Sequence, residues 1–285
     1  MKKLLLIVKG FIMGIANVIP GVSGGTLAII LGIYEQFISS ISHFFSNFKE
    51  NIRFLIPLFI GLGLAIITMS GVIDYSFTHF PIPTTMFFVG LVIGGIPLLY
   101  NKVKGKKTNK VTSLLIALFT FSLVIFVALA DKIFGHSLAV NLTSLNLTGY
   151  ITLFVVGVVA AATMVVPGIS GSLVLMLLGY YYPILALIKS IIHFENLTTN
   201  LLVATVFGLG VILGIVLVSK LIEYLFKKYE VKTYYGVLGF IFASIIAIPI
   251  STFSTITISA DILNIVIGCF VLGIGMVISY QLGKK

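Results

Sequence analysis

The sequence predicts an all-α polytopic membrane protein with two inverted-topology repeats, each containing a helical re-entrant hairpin and three transmembrane helices. Three observations support this prediction. The chain of 285 residues is 59% hydrophobic and 9% charged, with a mean hydropathy of +1.20, whereas soluble domains contain roughly 25% charged residues. A motif of Pro, Gly and Ser occurs twice, 147 residues apart. The basic residues, which dominate a net charge of +10, are confined to a few connections.

Six apolar segments approach or reach the ~20 residues that a helix needs to cross a ~30 Å hydrocarbon core. They are residues 54–72, 85–99, 111–130, 201–219, 234–250 and 262–280. The connections are too short for a sizeable soluble domain. We therefore expect one integral membrane domain, divided into a first repeat at 1–145 and a second at 146–285. Cys269 is the only cysteine, so no intramolecular disulfide is possible.

The positions of the basic residues predict the topology, because Lys and Arg are enriched in the cytoplasmic loops of membrane proteins. If basic connections are cytoplasmic, sixteen of the eighteen Lys and Arg residues lie inside, and only Lys132 and Lys189 lie outside. Both termini are then cytoplasmic, residues 4–42 and 148–190 each leave and return to one side, and the second half is inverted. A basic face of this kind attracts anionic lipid headgroups, so we expect no nucleic acid partner.

The repeated motif reads Asn-Val-Ile-Pro-Gly-Val-Ser-Gly-Gly at residues 17–25 and Met-Val-Val-Pro-Gly-Ile-Ser-Gly-Ser at residues 164–172. At the same offset, residues 61–63 (Gly-Leu-Gly) match residues 208–210, so the repeat extends beyond the motif. Proline ends a helix and glycine allows a tight turn. Non-helical backbone inside a bilayer is tolerated only where it packs in protein or lines a cavity.

A helix that starts after each turn would have a serine cap and N–H groups without helical partners, which attract an anion. We therefore predict a substrate-binding cradle near the membrane midplane. Its residues are Asn17, Gly21, Ser23, Gly24, Gly25, Thr26, Gly168, Ser170, Gly171 and Ser172. The other interpretation is that these small residues only permit close helix packing.

Glu35 follows the first motif, and Tyr182 stands at the equivalent position of the second half. An acidic side chain at membrane depth is costly unless it has a partner or a function. Glu35 would carry a coupling proton or pair with Arg53, the only arginine. Arg53 is also a candidate ligand for the substrate, because Arg binds phosphate bidentately. Alternatively, Glu35 reaches the interface and Arg53 only marks the inner side. The four histidines lack metal-ligand spacing, so no metal or other cofactor is expected.

The paired motifs, with Gly-Ile-Tyr-Glu at residues 32–35, resemble the bacterial polyprenyl-phosphate transporter family over essentially the whole chain. The resemblance implies translocation of undecaprenyl phosphate, the lipid carrier of cell-wall synthesis, across the bacterial cytoplasmic membrane for reuse. Its partners would be polyprenyl phosphate, membrane lipids and a coupling proton or cation. We expect alternating access, since inverted repeats can open to either face.

Two rival functions fit parts of the same pattern. A secondary transporter of a small soluble anion would use the same cradle but a pathway closed to lipid. A membrane phosphatase would need an activated nucleophile or a metal site, and the sequence offers no acid–histidine cluster. We therefore expect a transport protein and not an enzyme.

Overall fold

The computed structural model describes residues 2–18, 23–134, 140–142, 145–168, 171, 174–175, 178–253 and 262–283. These residues are mostly helical, with short turns and irregular connections, and contain no strand, which confirms the all-α class. The helices, in chain order, are α1 Lys2–Val18, α2 Gly24–Ile30, α3 Tyr34–Ser42, α4 Phe48–His79, α5 Pro81–Val103, α6 Lys110–Phe134, α7 Leu147–Val165, α8 Tyr181–Ile192, α9 Leu197–Phe253 and α10 Ile262–Gly283.

Five of the described helices are long and apolar enough to cross a membrane: α4, α5, α6, α9 and α10. In α9 the candidate span covers 54 residues, which at a rise of about 1.5 Å per residue is far too long for a single crossing. The backbone leaves helical geometry at Tyr229. This kink separates a first part, residues 197–228, from a second part, residues 230–253. All six predicted apolar segments are thus helical, and the chain is an integral membrane protein.

Helices α1 and α4 pack side by side at very short distance. A Cβ atom added to Gly10 would lie 2.0 Å from Leu58 O, and one added to Gly14 would lie 2.6 Å from Ala65 Cβ. The residue numbers of the two partners rise together, so the helices run parallel. Backbone-to-backbone approach through glycine is a common way to join helices in membranes, where packing rather than hydrophobicity drives association.

Helix α7 and the first part of α9 repeat this packing. A Cβ atom added to Gly157 would lie 2.6 Å from Phe207 O, just as Gly10 faces Leu58 O in the first half. The offset from α1 to α7 is that of the motifs, whereas the offset from α4 to α9 is longer by two positions. The two halves therefore share one helix-pairing arrangement.

The match of residues 61–63 with residues 208–210, which the motif offset predicts, is wrong by two positions. A Cβ atom on Gly61 would lie 2.0 Å from Ile7 O, and one on Gly210 would lie 2.2 Å from Phe154 O. Gly63 and Gly208 have no atom within 4 Å of such a Cβ. Gly61 thus corresponds to Gly210, because these two glycines face the partner backbone.

Two further helix pairs join the halves to each other. Helix α5 of the first half packs on α10, with Gly90 against the backbone of Leu272. The second part of α9 packs on α6, with Gly239 against the backbone of Ala117. Gly90 and Gly239 are related by the same longer offset as α4 and α9. Each of these pairs thus contains one helix from each half. The repeat boundary at 145/146 and the inverted orientation stay predictions.

Candidate functional site

The first motif leads into α2, a seven-residue helix that is buried along its whole length. Ser23 precedes it with extended backbone and is 5% exposed. Its hydroxyl makes no capping bond to α2 and instead donates to Val166 O at 3.5 Å. Ser23 thus occupies the N-cap position of α2, but the prediction that its hydroxyl caps the helix is wrong. The hydroxyl turns towards the second motif because that motif lies directly beside it.

The described parts of the two motifs are in contact. The backbone N–H of Gly168 donates to Thr26 Oγ1 at 2.8 Å, and both residues are buried. The hydroxyl of Tyr34 donates to Val165 O, the last residue of α7, at 3.0 Å. Because these contacts join positions far apart in the sequence, they bring the two halves together at their motifs.

Glycine is required where the motif segments approach other elements. A Cβ atom on Gly24 would lie 2.6 Å from Asn17 Oδ1, so the amide of Asn17 sits directly against the start of α2. Gly168 has a positive φ of 84°, and its Cβ would lie 2.8 Å from Phe240 O. Gly25 and Gly171 are buried. Asn17 is exposed, whereas its neighbours in α2 are not.

Three predicted site residues, Gly21, Ser170 and Ser172, lie outside the described residues. Their part in a substrate cradle stays a prediction. The same holds for the binding role of Asn17, Ser23, Gly24, Gly25, Thr26, Gly168 and Gly171. Of these, the structure brings Asn17 against Gly24 and Thr26 against Gly168.

A sharp bend follows α2 in the chain. The chain bends by 119° between α2 and α3, and Gly32 adopts a φ of 67° at the turn. A residue with a side chain adopts such a positive φ only at a steric cost, so glycine is favoured here. The bend thus lies at Gly32, two residues before α3 begins.

Glu35 lies in the first turn of α3 and accepts a hydrogen bond from the hydroxyl of Tyr234, in the second part of α9. Arg53 is exposed on α4 and makes no ion pair with any described residue. The predicted alternative of a Glu35–Arg53 pair is therefore wrong, since Tyr234 is the partner of Glu35. The structure does not join Arg53 to the described motif residues.

A second carboxylate, Glu223, faces the same short helix. Its oxygens lie 3.4 Å from Ser39 Oγ and 3.2 Å from His43 Nδ1, both on the α3 side, and 2.8 Å from Lys227 Nζ. Sequence reasoning placed only Glu35 near the motifs and missed both Glu223 and Tyr234. No local sequence pattern links these residues to Glu35, because both lie in α9, far along the chain from α3.

Two cavities flank Glu35. The larger, which we call the α5 cavity, has a volume of about 500 Å³ and extends from the α2–α3 bend to Lys102 at the end of α5. The smaller, the α9 cavity, has a volume of about 270 Å³ and is lined by Ser39, Glu223 and Lys227 among others. Glu35 and Phe226 line both. An acidic side chain thus stands between two cavities that lie beside basic residues.

Paired glycine-rich breaks that meet inside a bundle of apolar helices are typical of secondary transporters. A family model described as undecaprenyl phosphate translocase-like matches residues 13–262. The chain belongs to this family, and the resemblance inferred from the motifs is confirmed.

Two relatives support the assignment. The chain is 34% identical over 251 residues to a polyprenyl-phosphate transporter of Staphylococcus aureus, covering 86% of each chain. It is 31% identical over 237 residues to a polyprenyl-phosphate transporter of Vibrio cholerae, covering 78% of this chain and 70% of the relative. Both relatives are named as transporters and not as enzymes. No solved structure matches the chain.

Proposed function

We propose that this protein translocates undecaprenyl phosphate across the bacterial cytoplasmic membrane, so that the lipid carrier can be reused in cell-wall synthesis. The observation that carries the proposal is the contact between the two motifs, with Thr26 Oγ1 accepting from Gly168 N, in a chain whose relatives are named polyprenyl-phosphate transporters. A lipid phosphate needs polar partners only for its head, because its hydrocarbon chain can stay in the bilayer.

Alternating access is the mechanism that we propose. The two halves would be inverted, with each broken-helix segment returning to its starting face, and the shared helix pairing supports equivalent movements in both halves. The motif contacts are buried, whereas the two cavities beside Glu35 adjoin Lys102 and Lys227. We infer that this conformation is closed at the motifs and open towards the basic, cytoplasmic face, where both termini would lie.

Glu35 would be the coupling residue. Its side chain lines both cavities and accepts a hydrogen bond from the Tyr234 hydroxyl. The protonation state of Glu35 can therefore affect the contact between α3 and α9. The ionised carboxylate of Glu35 accepts this hydrogen bond more strongly than the protonated carboxylic acid does. A proton entering at Glu35 would thus loosen the α3–α9 contact and favour rearrangement.

Leaflet-resolved transport of undecaprenyl phosphate in reconstituted vesicles tests the proposal. The substitution Thr26→Val removes the acceptor of the Gly168 N–H while keeping the side-chain volume, and we expect at least about a tenfold loss of rate because a buried donor loses its partner. Thr85→Val is the matched control, since Thr85 is equally buried but bonds only within its own helix, to Pro81 O.

Transport of the lipid by the native protein, with loss in Thr26→Val alone, would support the proposal. Native vesicles that move soluble phosphate but not the lipid would favour the small-anion transporter instead. Release of inorganic phosphate from the lipid would favour a phosphatase.

Accessibility labelling tests the topology. Ser46 and Asn196 lie in the turns before α4 and α9, and each can be replaced by cysteine in a Cys269→Ser background. Inverted halves predict that an impermeant maleimide reaches the two positions from opposite faces of the membrane. Labelling of both from the same face would contradict the inverted arrangement.

A further inference from the structure

We propose that the α5 cavity is a second substrate site. In it, Lys102 binds the phosphate monoester head of the lipid while Glu35 is protonated. This inference rests on the proposed function and adds a position on the basic side of the motif contact. The site differs from the motif cradle, since none of the predicted cradle residues that the structure describes lines the α5 cavity; Lys102 lies in the last turn of α5.

The lining of the α5 cavity suits an amphipathic ligand. One wall is apolar and comes from α2 and the end of α5, namely Ile29, Ile30, Leu98 and Leu99. The polar side chains Gln36, Asn101 and Lys102 line the same cavity. At about 500 Å³ the cavity falls within the ~300–1,000 Å³ of small-ligand sites, which combine apolar walls with a few polar groups. It can hold a phosphate head and the first part of a hydrocarbon chain.

Lys102 is the cation available to an anionic ligand here. In the neighbouring α9 cavity, Lys227 is paired with Glu223 at 2.8 Å, and Glu230 with Lys106 at 2.6 Å. Lys102 makes no ion pair with any residue that the structure describes. A cation without a carboxylate partner, next to an apolar wall, provides charge for a phosphate group.

Glu35 makes this site dependent on protonation. The charged or titratable side chains of the α5 cavity are Glu35 from α3, Lys102 from α5, and Tyr34 and Tyr234. Glu223, Lys227 and Glu230 face Glu35 from α9 through the smaller cavity. When Glu35 is ionised, its charge offsets that of Lys102 and repels a phosphate. When Glu35 is protonated, the α5 cavity carries a net positive charge and attracts one.

A single tryptophan can report binding, since the chain has none. Leu98→Trp places the reporter on the cavity wall of the full-length, reconstituted protein. The ligands are a short-chain polyprenyl phosphate, the matching polyprenol and inorganic phosphate. We expect a saturable emission change with the polyprenyl phosphate and at least about tenfold weaker responses with the other two, because the site needs both a charged head and an apolar chain.

Lys102→Ala should weaken polyprenyl-phosphate binding by about tenfold, and Lys102→Arg should retain most of it because the charge is kept. Lys104→Ala is the matched control: Lys104 is an exposed cation at the end of the same helix but does not line the cavity. Equal effects of Lys102→Ala and Lys104→Ala, or equal binding of polyprenol and its phosphate, would overturn the site.

The linkage to Glu35 is tested by comparing the native residue with Glu35→Gln at each pH, so that titration of the lipid phosphate itself cancels. With rising pH the native protein should lose affinity relative to Glu35→Gln, by about tenfold where Glu35 is fully ionised. A constant ratio across pH would overturn the linkage.

The same vesicles separate this inference from the proposed function. Lipid transport without Lys102-dependent binding would refute the second site and leave the function intact. Lys102-dependent binding without movement between leaflets would support the site and refute translocation.

Discussion

The two bends that follow the motifs have the same backbone conformation, at residues 31–33 and 178–180, but are surrounded by different side chains. In the first half, Leu31 N bonds to Leu27 O at 2.8 Å and Ile33 N to Ala28 O at 3.0 Å. In the second half the equivalent bonds, from residues 178 and 180 to residues 174 and 175, measure 3.0 and 2.9 Å. Gly32 and Gly179 take the same left-handed conformation, with φ of 67° and 77°.

The chemistry around the two bends is different. The first bend carries Glu35, which bonds to Tyr234 and borders both cavities. Its counterpart in the second half is Tyr182, which is 63% exposed. The elements around the second bend form an apolar cluster in which Tyr180 and Ile184 pack on Leu153. Among the residues that the structure describes, the polar contacts of Glu35 with Tyr234 and the two cavities thus lie at the first bend.

This difference indicates a division of roles. In the proposed alternating-access mechanism, equivalent bends would let both halves rearrange in the same way. The position of Glu35 in one half alone would then decide where a proton acts. The predictions below test this division, starting with the substitution that we expect to have the largest effect.

Glu35→Gln should abolish the dependence of transport on a proton gradient, because the amide cannot take up or release a proton. We expect the rate in liposomes with a pH gradient to fall at least about tenfold, while headgroup binding is retained. Transport under an imposed gradient is the measurement. Glu50→Gln is the control, since Glu50 is an exposed acid in the first turn of α4.

Unchanged gradient-dependent transport by Glu35→Gln would reject the coupling role. An equal loss in Glu50→Gln would point to a general effect of surface charge. A coupling role for Tyr182, the counterpart of Glu35, would also contradict the proposed difference between the two halves. Tyr182→Phe should therefore leave the dependence of transport on the proton gradient unchanged.

The equivalence of the two helix pairs predicts which glycines cannot be replaced. Gly61→Ala and Gly210→Ala each place a Cβ within 2.2 Å of a partner carbonyl oxygen, so the helices must separate. Overpacking of this kind typically costs about 1–3 kcal/mol, and sometimes more. The measurement is thermal unfolding in detergent micelles, followed by circular dichroism.

Gly63→Ala and Gly208→Ala are the matched controls, since neither added Cβ has an atom within 4 Å. Both lie inside helices, where Ala is favoured over Gly by about 0.5–1 kcal/mol. Their unfolding temperatures should therefore stay equal or rise slightly. If Gly208→Ala were as damaging as Gly61→Ala, the offset of the motifs would apply to α9 as well and the structural match would be wrong.

The sequence predicted the membrane helices well because hydropathy depends on local composition. The repeat was also visible, since Pro20, Gly21 and Ser23 recur at one offset. The position at which the offset becomes longer by two residues could not be located, because Gly61 and Gly63 look alike until the partner helix shows which one it contacts. Contacts across the kink at Tyr229 were equally hidden.

The candidate site was predictable only in part. The meeting of the motifs followed from the repeat, but the partner of Glu35 did not, because Tyr234 is 199 residues away. Sequence reasoning offered Arg53 as one possible partner on grounds of charge, and the structure leaves Arg53 exposed on α4. Distances across a bundle depend on helix pairing, which a single sequence does not contain.

Lys9 gives the smallest predicted effect. Its ammonium donates to Leu31 O at 2.8 Å, beside the first bend, whereas the equivalent residue of the second half is the buried Val156. Since the second bend keeps the same backbone bonds without a lysine, Lys9 is not needed to form the turn. We expect Lys9→Val to change the free energy of unfolding by no more than about 1 kcal/mol, because the lost hydrogen bond is offset by relief from desolvation.

Thermal unfolding of Lys9→Val beside Val156→Ala measures this expectation. Val156→Ala should be the more damaging change, since it removes buried methyl groups from a packed cluster. A loss above about 2 kcal/mol in Lys9→Val, beyond the usual worth of one hydrogen bond, would show that the first bend depends on its lysine. The two bends would then be held by different interactions, and their common backbone would not imply a common movement.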